Sequence, residues 1–267
     1  DGGAIPAKTP VTARHLMTHS SGITYGKNGL RLGDASLEEF SRSLAARPLK
    51  FQPGTQYQYG YSIDILGRYI EAIEGKTLDV VMRERVFDKL GMDDTEFWVR
   101  DAADKDRVAI VYTRNKQGRL KPAMGPDAVM TKPARMMGGQ GLMSTTGDYA
   151  RFCHMLLNKG ELDGQRLLKR RTVDLMFQNH LKKIGKVYGL GGTVNGKGLY
   201  AWGGAAGTGF WVNHANDSCA VFMIQRSGYK VNTYGVFKDI AAKALGSGKN
   251  SDKGAGGAQG RALPKRN

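Results

Sequence analysis

Three tyrosines occupy alternate positions in PGTQYQYGYSIDILGR, residues 53–68, just before an apolar pattern of helical period. They are Tyr57, Tyr59 and Tyr61. A phenol has a reference pKa of about 10, so a tyrosine can serve as a base near neutral pH only where neighbouring cations lower that value. Taken by itself, the segment favours an ordinary packing role for Tyr59 over a catalytic one.

Segment 53–68 belongs to one of six sequence blocks that occur in a fixed order. The blocks are TPVTARHLMTHSSGI (9–23), PGTQYQYGYSIDILGRYIEAIEGKTL (53–78), VFDKLGMDDTEF (86–97), GGQGLMSTTGDYARFCHMLLNKGELDG (138–164), YGLGG (188–192) and WGGAAGTGFWVN (202–213). Together they resemble the serine β-lactamase-like family, which includes class C β-lactamases, D-alanyl-D-alanine peptidases of the penicillin-binding protein type and family VIII esterases. The likeness extends over about residues 5–245. A single block would be weak evidence for this family, whereas six blocks in this order are specific to it.

The resemblance implies a reaction through an acyl-enzyme. In that family a serine and a lysine, spaced as Ser-x-x-Lys, lie at the start of a helix, and a tyrosine and a strand motif complete the site. A serine hydroxyl is a poor nucleophile until a base takes its proton, and a nearby ammonium group lets the tyrosine act as that base. The resemblance maps this tyrosine onto Tyr59, which becomes the expected catalytic residue.

Two positions depart from the lactamase pattern. Tyr61 stands where the family's Tyr-x-Asn motif has asparagine, and Trp202-Gly203-Gly204 stands where lactamases have Lys-Thr-Gly. These changes remove an amide and an ammonium group that would hold the amide and carboxylate of a β-lactam. Both changes resemble the esterase branch. The expected substrate is therefore a small neutral ester or acyl compound, bound by Tyr61, Trp202, Gly203 and Gly204.

The same strand motif predicts half of an oxyanion hole. Glycine at 203 and 204 would let a carbonyl group lie close to the strand, and the resemblance implies that the backbone N–H of Ala205 donates to it. The other half would be the N–H of the nucleophilic serine. The chain's one Ser-x-x-Lys match runs from Ser227 to Lys230, follows a strand pattern and contains Gly228. We interpret this match as a coincidence, because it lacks the helical pattern that would present serine and lysine on one turn.

Two predictions of function follow. The first is the carboxy-terminal part of a serine hydrolase of the β-lactamase-like fold, an esterase acting through an acyl-enzyme, whose Ser-x-x-Lys region precedes residue 1. The second is a non-catalytic member, truncated or degenerate, that keeps the cleft and only binds. The presence of a nucleophile on an upstream helix distinguishes the two. The sequence leaves the natural substrate and the oligomeric state open.

The elements that must position these residues follow from periodicity. Apolar stripes of helical spacing predict helices near 12–19, 36–46, 66–73, 78–90, 149–157 and 170–181. After Gly185, strand patterns and short turns predict three antiparallel strands and then a helix near 237–244. We therefore predict an α+β fold of the β-lactamase/transpeptidase type, with a mostly helical domain at 1–184, an antiparallel sheet and terminal helix at 185–245, and a disordered basic tail at 246–267. Three strands leave a sheet edge exposed, so further strands are expected upstream of residue 1.

Composition argues against several classes of function. The formal net charge is +16, but part of the excess lies in the Gly-rich tail and part in basic runs beside one predicted helix. No nucleic-acid-binding motif accompanies this charge, so nucleic acid is not an expected partner, and a protein that binds anions by charge alone ranks below both predictions. No uninterrupted apolar run of about 18 residues occurs, which predicts that no segment spans a membrane.

Metal and thiol chemistry have little support. His15 and His19 have the spacing of a metal-binding helix, yet Leu16 stands where His-Glu-x-x-His needs its glutamate. No metal or cofactor is expected, and His19 is assigned to holding a turn. Cys153 and Cys219 lack metal-site spacing and are expected to be buried free thiols. The amino terminus has neither an initiator Met nor a signal-peptide pattern, so the compartment stays open, and is periplasmic or extracellular if a signal peptide lies upstream.

Overall fold

The computed structural model describes residues 5–25, 35–228 and 233–247 of the chain. The α-helices, numbered along the chain, are α1 (Ala13–Met17), α2 (Leu37–Ala45), α3 (Ser62–Glu74), α4 (Leu78–Met82), α5 (Asp88–Leu90), α6 (Thr146–Leu157), α7 (Arg170–Met176) and α8 (Thr233–Ser247). The strands are β1 (Val111–Arg114), β2 (Leu120–Met124), β3 (Glu161–Leu162), β4 (Gln165–Arg166), β5 (Thr193–Val194), β6 (Leu199–Gly203), β7 (Gly209–Asn213) and β8 (Ser218–Phe222). Short 3-10 helices lie at Ala102–Arg107, Pro126–Val129 and Lys182–Ile184, and a π-helical turn at Arg83–Phe87 joins α4 to α5. The predicted α+β class is confirmed.

The helices begin and end at residues that favour termini. The side chain of Thr145 caps α6 by accepting a hydrogen bond from the backbone N–H of Asp148, as their spacing predicts. Helix α3 ends at Gly75 and α5 at Gly91, both with left-handed backbone. The predicted helices lie close to their expected positions, except that α7 ends at Met176 and a separate 3-10 turn follows.

The main sheet has four antiparallel strands in the order β5-β6-β7-β8. The sequence predicts three, because GLYAWGGAAGTGFWVN reads as one extended run. This run folds back on itself as β6 and β7, and at the turn the N–H of Gly204 donates to the carbonyl of Thr208 at 2.9 Å. Gly207 has φ +84° in that turn, a conformation that glycine adopts readily. The antiparallel pairing is confirmed, and the strand count is corrected to four in the described part of the sheet.

Two short hairpins lie inside the region predicted to be mostly helical. Strand β1 pairs with β2 and β3 pairs with β4, both antiparallel. The first hairpin is joined to the chain after β8: the N–H of Tyr112 donates to the carbonyl of Gln225, and the N–H of Ser227 donates to the carbonyl of Tyr112, each at 2.8 Å. Asn115 and Gly118 at its turn are residue types that could have indicated this hairpin.

Helices cover both faces of the main sheet. On one face α6 packs against β7 and β8, and Phe210 and Val212 join the largest hydrophobic core. On the other face Phe237 of α8 stacks on Phe222 at 5.1 Å and lies edge-on to Trp211 at 5.6 Å. The terminal helix predicted near 237–244 is therefore present and covers this face of the sheet.

The largest core extends across the predicted boundary between residues 184 and 185. Its buried members are Phe87, Leu90, Met92, Cys153, Met155, Leu156, Leu162, Val173, Val194, Tyr200, Phe210 and Val212. Residues from the helical region and from the sheet therefore bury one shared cluster. The division into 1–184 and 185–245 stays a prediction, and the predicted tail lies outside the described residues from position 248 onward.

Both cysteines are free thiols, and the predicted burial is confirmed for Cys153 but wrong for Cys219, which lies on strand β8. Cys153 on α6 is buried, and Cys219 on β8 is partly exposed. Burial raises the pKa of the Cys153 thiol, so the thiol stays protonated and unreactive at neutral pH. Within the described ranges, no helix is long and apolar enough to cross a bilayer.

Candidate active site

A cavity of about 300 Å³ lies where α1, α3 and the loop at 138–139 meet the segment 188–191 and strand β6. Its lining residues are Met17, His19, Tyr59, Ile63, Leu66, Gly138, Gly139, Tyr188, Leu190, Gly191 and Trp202. Of the expected site residues, Tyr59 and Trp202 line the cavity, with their ring centroids 5.7 Å apart, whereas Gly203, Gly204 and Ala205 are not among its lining residues. Tertiary packing thus brings these two distant residues to one concave surface.

The position of Tyr59 depends on close backbone packing. The N–H of Gln58 donates to the carbonyl of His19 at 3.0 Å. A Cβ at Gly60 would lie 2.6 Å from the Cα of Thr24, so only glycine lets the chain pass at this point. The ring of Tyr59 is half-buried and lies 4.2 Å from the ring of His19. Its placement in the cavity wall therefore follows from the turn that His19 and Gly60 allow.

Tyr61 packs in a neighbouring apolar cluster. Its ring lies edge-on to Phe40 of α2 at 5.0 Å and to Tyr25 at 4.6 Å. Tyr61 is not among the residues that line the cavity. The structure therefore brings Tyr59 and Trp202 together without Tyr61, and a substrate contact for Tyr61 stays a prediction.

The turn after β6 presents a backbone donor. Trp202 and Gly203 lie in the ladder with β7, and Ala205 follows in an exposed turn. Among the described residues, the N–H of Ala205 has no hydrogen-bond partner. A Cβ at Gly204 would lie 2.3 Å from Oγ1 of Thr208, so a larger residue at 204 would require the Thr208 side chain to move. An oxyanion donor must be a free N–H that points at the reacting carbonyl, and that role for Ala205 stays a prediction.

His19 is a cavity residue that sequence reasoning assigned only to a turn. Its side chain is 1% exposed and its φ is +51°. Burial lowers the pKa of the imidazole to about 4, so the ring is neutral at pH 7. Within the described part of the chain its Nδ1 has no hydrogen-bond partner. His15 does not share this environment, because its Nδ1 accepts from the N–H of Thr12 at the start of α1.

The loop at 138–139 forms the wall beside α3. A Cβ at Gly138 would lie 2.3 Å from the carbonyl oxygen of Ile63, so the loop backbone rests directly on the helix. The N–H of Gly139 donates to Oδ1 of Asp64 at 2.8 Å, and Asp64 is only 3% exposed. Burial raises the pKa of the Asp64 carboxyl to about 6. The sequence analysis missed Asp64, whose one signal was an acidic residue inside an otherwise apolar helical stretch.

Comparison with known proteins identifies the family of this chain. The family model described as Beta-lactamase matches residues 2–244. The chain belongs to the beta-lactamase family. The resemblance carried by the six sequence blocks is thereby confirmed.

Relatives in this family include esterases. An uncharacterized protein of Mycobacterium tuberculosis is 32% identical over 257 residues, covering 82% of this chain and 63% of that protein. Lovastatin esterase of Penicillium rubens is 29% identical over 271 residues, covering 82% of this chain and 65% of the esterase. Both alignments span less than two thirds of the relative's length.

Solved structures of the family share the fold. Simvastatin synthase (LovD) from Aspergillus terreus superposes with a TM-score of 0.71 at 24% identity, over 93% of this chain and 71% of that one. The penicillin-binding protein homologue from Pyrococcus abyssi gives a TM-score of 0.70 at 23% identity, over 94% of this chain and 59% of that one. These likenesses establish the β-lactamase/transpeptidase-like arrangement of helices and antiparallel sheet.

Proposed function

We propose that this chain forms the substrate cleft of a serine esterase or acyl-transferring enzyme of the beta-lactamase family. The observation that carries the proposal is the cavity in which the ring of Tyr59 lies 5.7 Å from the ring of Trp202, which stands three residues before Ala205 in the sequence. Relatives named as a lovastatin esterase and as an acyltransferase support acyl chemistry for this chain as well.

The cavity lining favours a neutral acyl group. Among the described residues, no lysine, arginine or carboxylate lines the cavity, and His19 is neutral at pH 7 because burial lowers its pKa to about 4. Such a wall binds an apolar group by burying its surface and has no ammonium group to pair with a carboxylate. The substrate class that fits best is a small ester or acyl compound, in preference to a β-lactam.

The proposed reaction divides the work among three groups. Tyr59 takes the hydroxyl proton of a serine as the serine oxygen bonds to the acyl carbon, and returns that proton to the departing alcohol. The N–H of Ala205 stabilises the oxyanion formed in this step. The acyl-enzyme is then cleaved by water or by a second alcohol.

We propose that the serine lies on a Ser-x-x-Lys helix outside these residues. The match in this chain does not present its serine on a helix, because Ser227 lies in a turn directly after the bridge at Arg226. Lys230 lies outside the described residues. A binding protein without catalysis is the second candidate, and it is favoured by the lack of any other Ser-x-x-Lys in the sequence.

The deciding experiment measures hydrolysis of p-nitrophenyl acetate and butyrate by two forms of the protein. The 267-residue chain alone is expected to show no activity above background. A form extended upstream through a Ser-x-x-Lys helix is expected to be active, because the parts of a catalytic unit act together and not additively. An inactive extended form supports the binding-protein candidate.

Two substitutions complete this experiment. Tyr59→Phe in the extended form keeps the ring and removes the hydroxyl, and we expect a fall in kcat of about 10² to 10⁴-fold. Ser227→Ala in the 267-residue chain, the short form, tests whether the Ser-x-x-Lys match at Ser227 has a catalytic role. Activity of the short form that disappeared with Ser227→Ala would show that this serine is the nucleophile after all.

A further inference from the structure

The β1–β2 hairpin presents an exposed apolar face. In its register Tyr112 lies opposite Pro122 and Arg114 lies opposite Leu120, so each pair shares one side of the hairpin. Successive side chains of a strand alternate between its two sides, which places Met124 on the same side as Leu120 and Pro122. Leu120 is 56% exposed and Met124 is 45% exposed. We call these five side chains the hairpin face; none of them belongs to a core cluster of the described residues.

Basic residues surround the hairpin face. Arg114 lies on it, Lys116 and Arg119 lie at the turn, and Lys121 follows Leu120 on the opposite side of β2. All four basic side chains are exposed. Residues 108–125 contain these four and no Asp or Glu, whereas the whole chain has 40 basic and 24 acidic residues. The hairpin is therefore more one-sided in charge than the rest of the protein.

Hydrogen bonds hold the hairpin and its turn in place. The side-chain oxygen of Asn115 accepts from the N–H of Arg119 at 2.9 Å, and the guanidinium group of Arg114 donates to the carbonyl of Gly118. At the other end of β1, the backbone of Tyr112 is bonded to the chain after β8. The cationic groups are thus held beside the apolar face before any partner binds, which lowers the entropy cost of binding.

We propose that the hairpin face is a docking surface for an anionic lipid bilayer, with its apolar side chains at the headgroup boundary and its basic residues on lipid phosphates. Burial of apolar side chains and attraction to anionic headgroups add at one place, as peripheral membrane binding requires. The apolar stems of arginine and lysine lie along the lipid while their charged ends reach the phosphates. Docking of this kind does not depend on the acyl chemistry proposed for the cavity.

A protein partner fits this face less well than a bilayer. Two strands about 4.8 Å apart and five residues long present roughly 10 Å by 17 Å of surface, whereas a stable complex buries about 800 Å² on each partner. Within the described residues β2 pairs only with β1, and addition of a strand to its outer edge is opposed because Pro122 has no N–H to donate and Lys121 places a charge there. A bilayer needs neither a large complementary area nor a strand ladder.

The test measures how much of the 267-residue chain sediments with lipid vesicles. Vesicles of phosphatidylcholine alone are compared with vesicles in which about one third of the lipid is phosphatidylglycerol. We expect binding to the anionic vesicles, little binding to the neutral ones, and weaker binding at high salt, because salt screens the attraction.

Two double variants separate the two parts of the surface. Arg119→Gln with Lys121→Gln removes two charges and is expected to weaken binding to the anionic vesicles about 30-fold. Leu120→Ser with Met124→Ser removes apolar surface and is expected to weaken it about tenfold or more. All four side chains are exposed, so the fold is expected to be retained, which circular dichroism checks.

Each double variant has a matched control. Lys182→Gln with Lys183→Gln makes the same change of net charge on the 3-10 turn at Lys182–Ile184, where both side chains are also exposed. Ile73→Ser removes an apolar side chain of α3 that is 64% exposed. We expect both controls to change binding by less than about threefold, because neither alters the hairpin face.

Several results would overturn the proposal. No binding to the anionic vesicles, equal binding to the neutral ones, or equal weakening by the control pair of lysines would each do so. Weakening by the charge variant alone would indicate a soluble anionic polymer instead of a bilayer. A dimer in solution that dissociates with Leu120→Ser and Met124→Ser would assign the face to a second copy. An upstream-extended form that does not bind, although the short form does, would assign it to a segment upstream of residue 1.

Discussion

Tyr59 lies half-buried between an imidazole and an indole, 4.2 Å from the ring of His19 and 5.7 Å from the ring of Trp202. Both neighbours line the same cavity. A tyrosine with only a packing role contributes through its ring, whereas a base contributes through its hydroxyl. The substitution Tyr59→Phe separates the two contributions because it keeps the first and removes the second.

At the same scale, Asp64→Asn is expected to remove a pH dependence of stability. Burial raises the pKa of Asp64 from 3.8 to about 6, so folding favours the protonated carboxyl. The resulting contribution to the free energy of unfolding is fully present below the unfolded pKa of 3.8 and is lost as the pH rises through about 6. The shift corresponds to at most roughly 3 kcal/mol. Urea unfolding from pH 4 to pH 8 should show this change as a widening stability difference between the two proteins, in favour of Asp64→Asn at high pH.

Asp64→Ala is the control for the hydrogen bond. Asparagine can still accept from the N–H of Gly139 through its side-chain carbonyl, whereas alanine removes the acceptor of this partly buried hydrogen bond. We expect Asp64→Ala to lose about 1–3 kcal/mol of stability throughout this pH range. A parallel pH dependence in wild type and Asp64→Asn would contradict the prediction.

At the scale of elements, the cavity wall depends on how closely a loop can approach a helix. The backbone at 138–139 rests on the first turns of α3, where Asp64 holds it and Gly67 gives it space. Position 138 cannot hold a side chain without a shift of the backbone, because the Cβ would lie 2.3 Å from the carbonyl oxygen of Ile63. The glycines therefore set the depth of the cavity.

Gly138→Ala is expected to destabilise the fold by about 2 kcal/mol or more, since the loop must move away from α3 to relieve the clash. The matched control is Gly125→Ala. Its Cβ would have no atom within 4 Å, and its φ of −109° suits any residue. Thermal or urea unfolding of both variants measures the difference. Equal stability of the two variants would show that the loop tolerates displacement at no cost.

At the scale of the whole molecule, the shared core predicts a single cooperative unit. Phe87 and Leu156 belong to the helical region and Val212 to the sheet, yet all three lie in one buried cluster. We expect hydrogen exchange to show α6 and β7 opening together, and a fragment of residues 1–184 to unfold without a sharp transition. A fragment that unfolded cooperatively by itself would instead establish the predicted boundary as a true domain boundary.

Local signals made some elements predictable. Thr145 and Gly75 mark helix ends through chemistry that acts within a turn, so α3 and α6 were expected almost where they lie. The β6–β7 hairpin was not expected, because both strands carry the same apolar and Gly-rich pattern and the turn between them is defined by pairing. The β1–β2 hairpin was missed because all residues of β2 are exposed, which leaves no alternation to detect.

The sequence by itself was sufficient to assign the family and the α+β class, and to select Tyr59 and the Trp202 strand motif as candidate site residues. These assignments depend only on which residues occur in the chain and in what order. Only the tertiary structure decided that His19 lines the cavity, that Asp64 holds the loop beside it and that Tyr61 packs on Phe40. Periodicity tells which face of an element is buried but not which distant segment lies against it. Burial and hydrogen bonding to such segments determine whether a histidine is neutral and whether an aspartic acid is protonated.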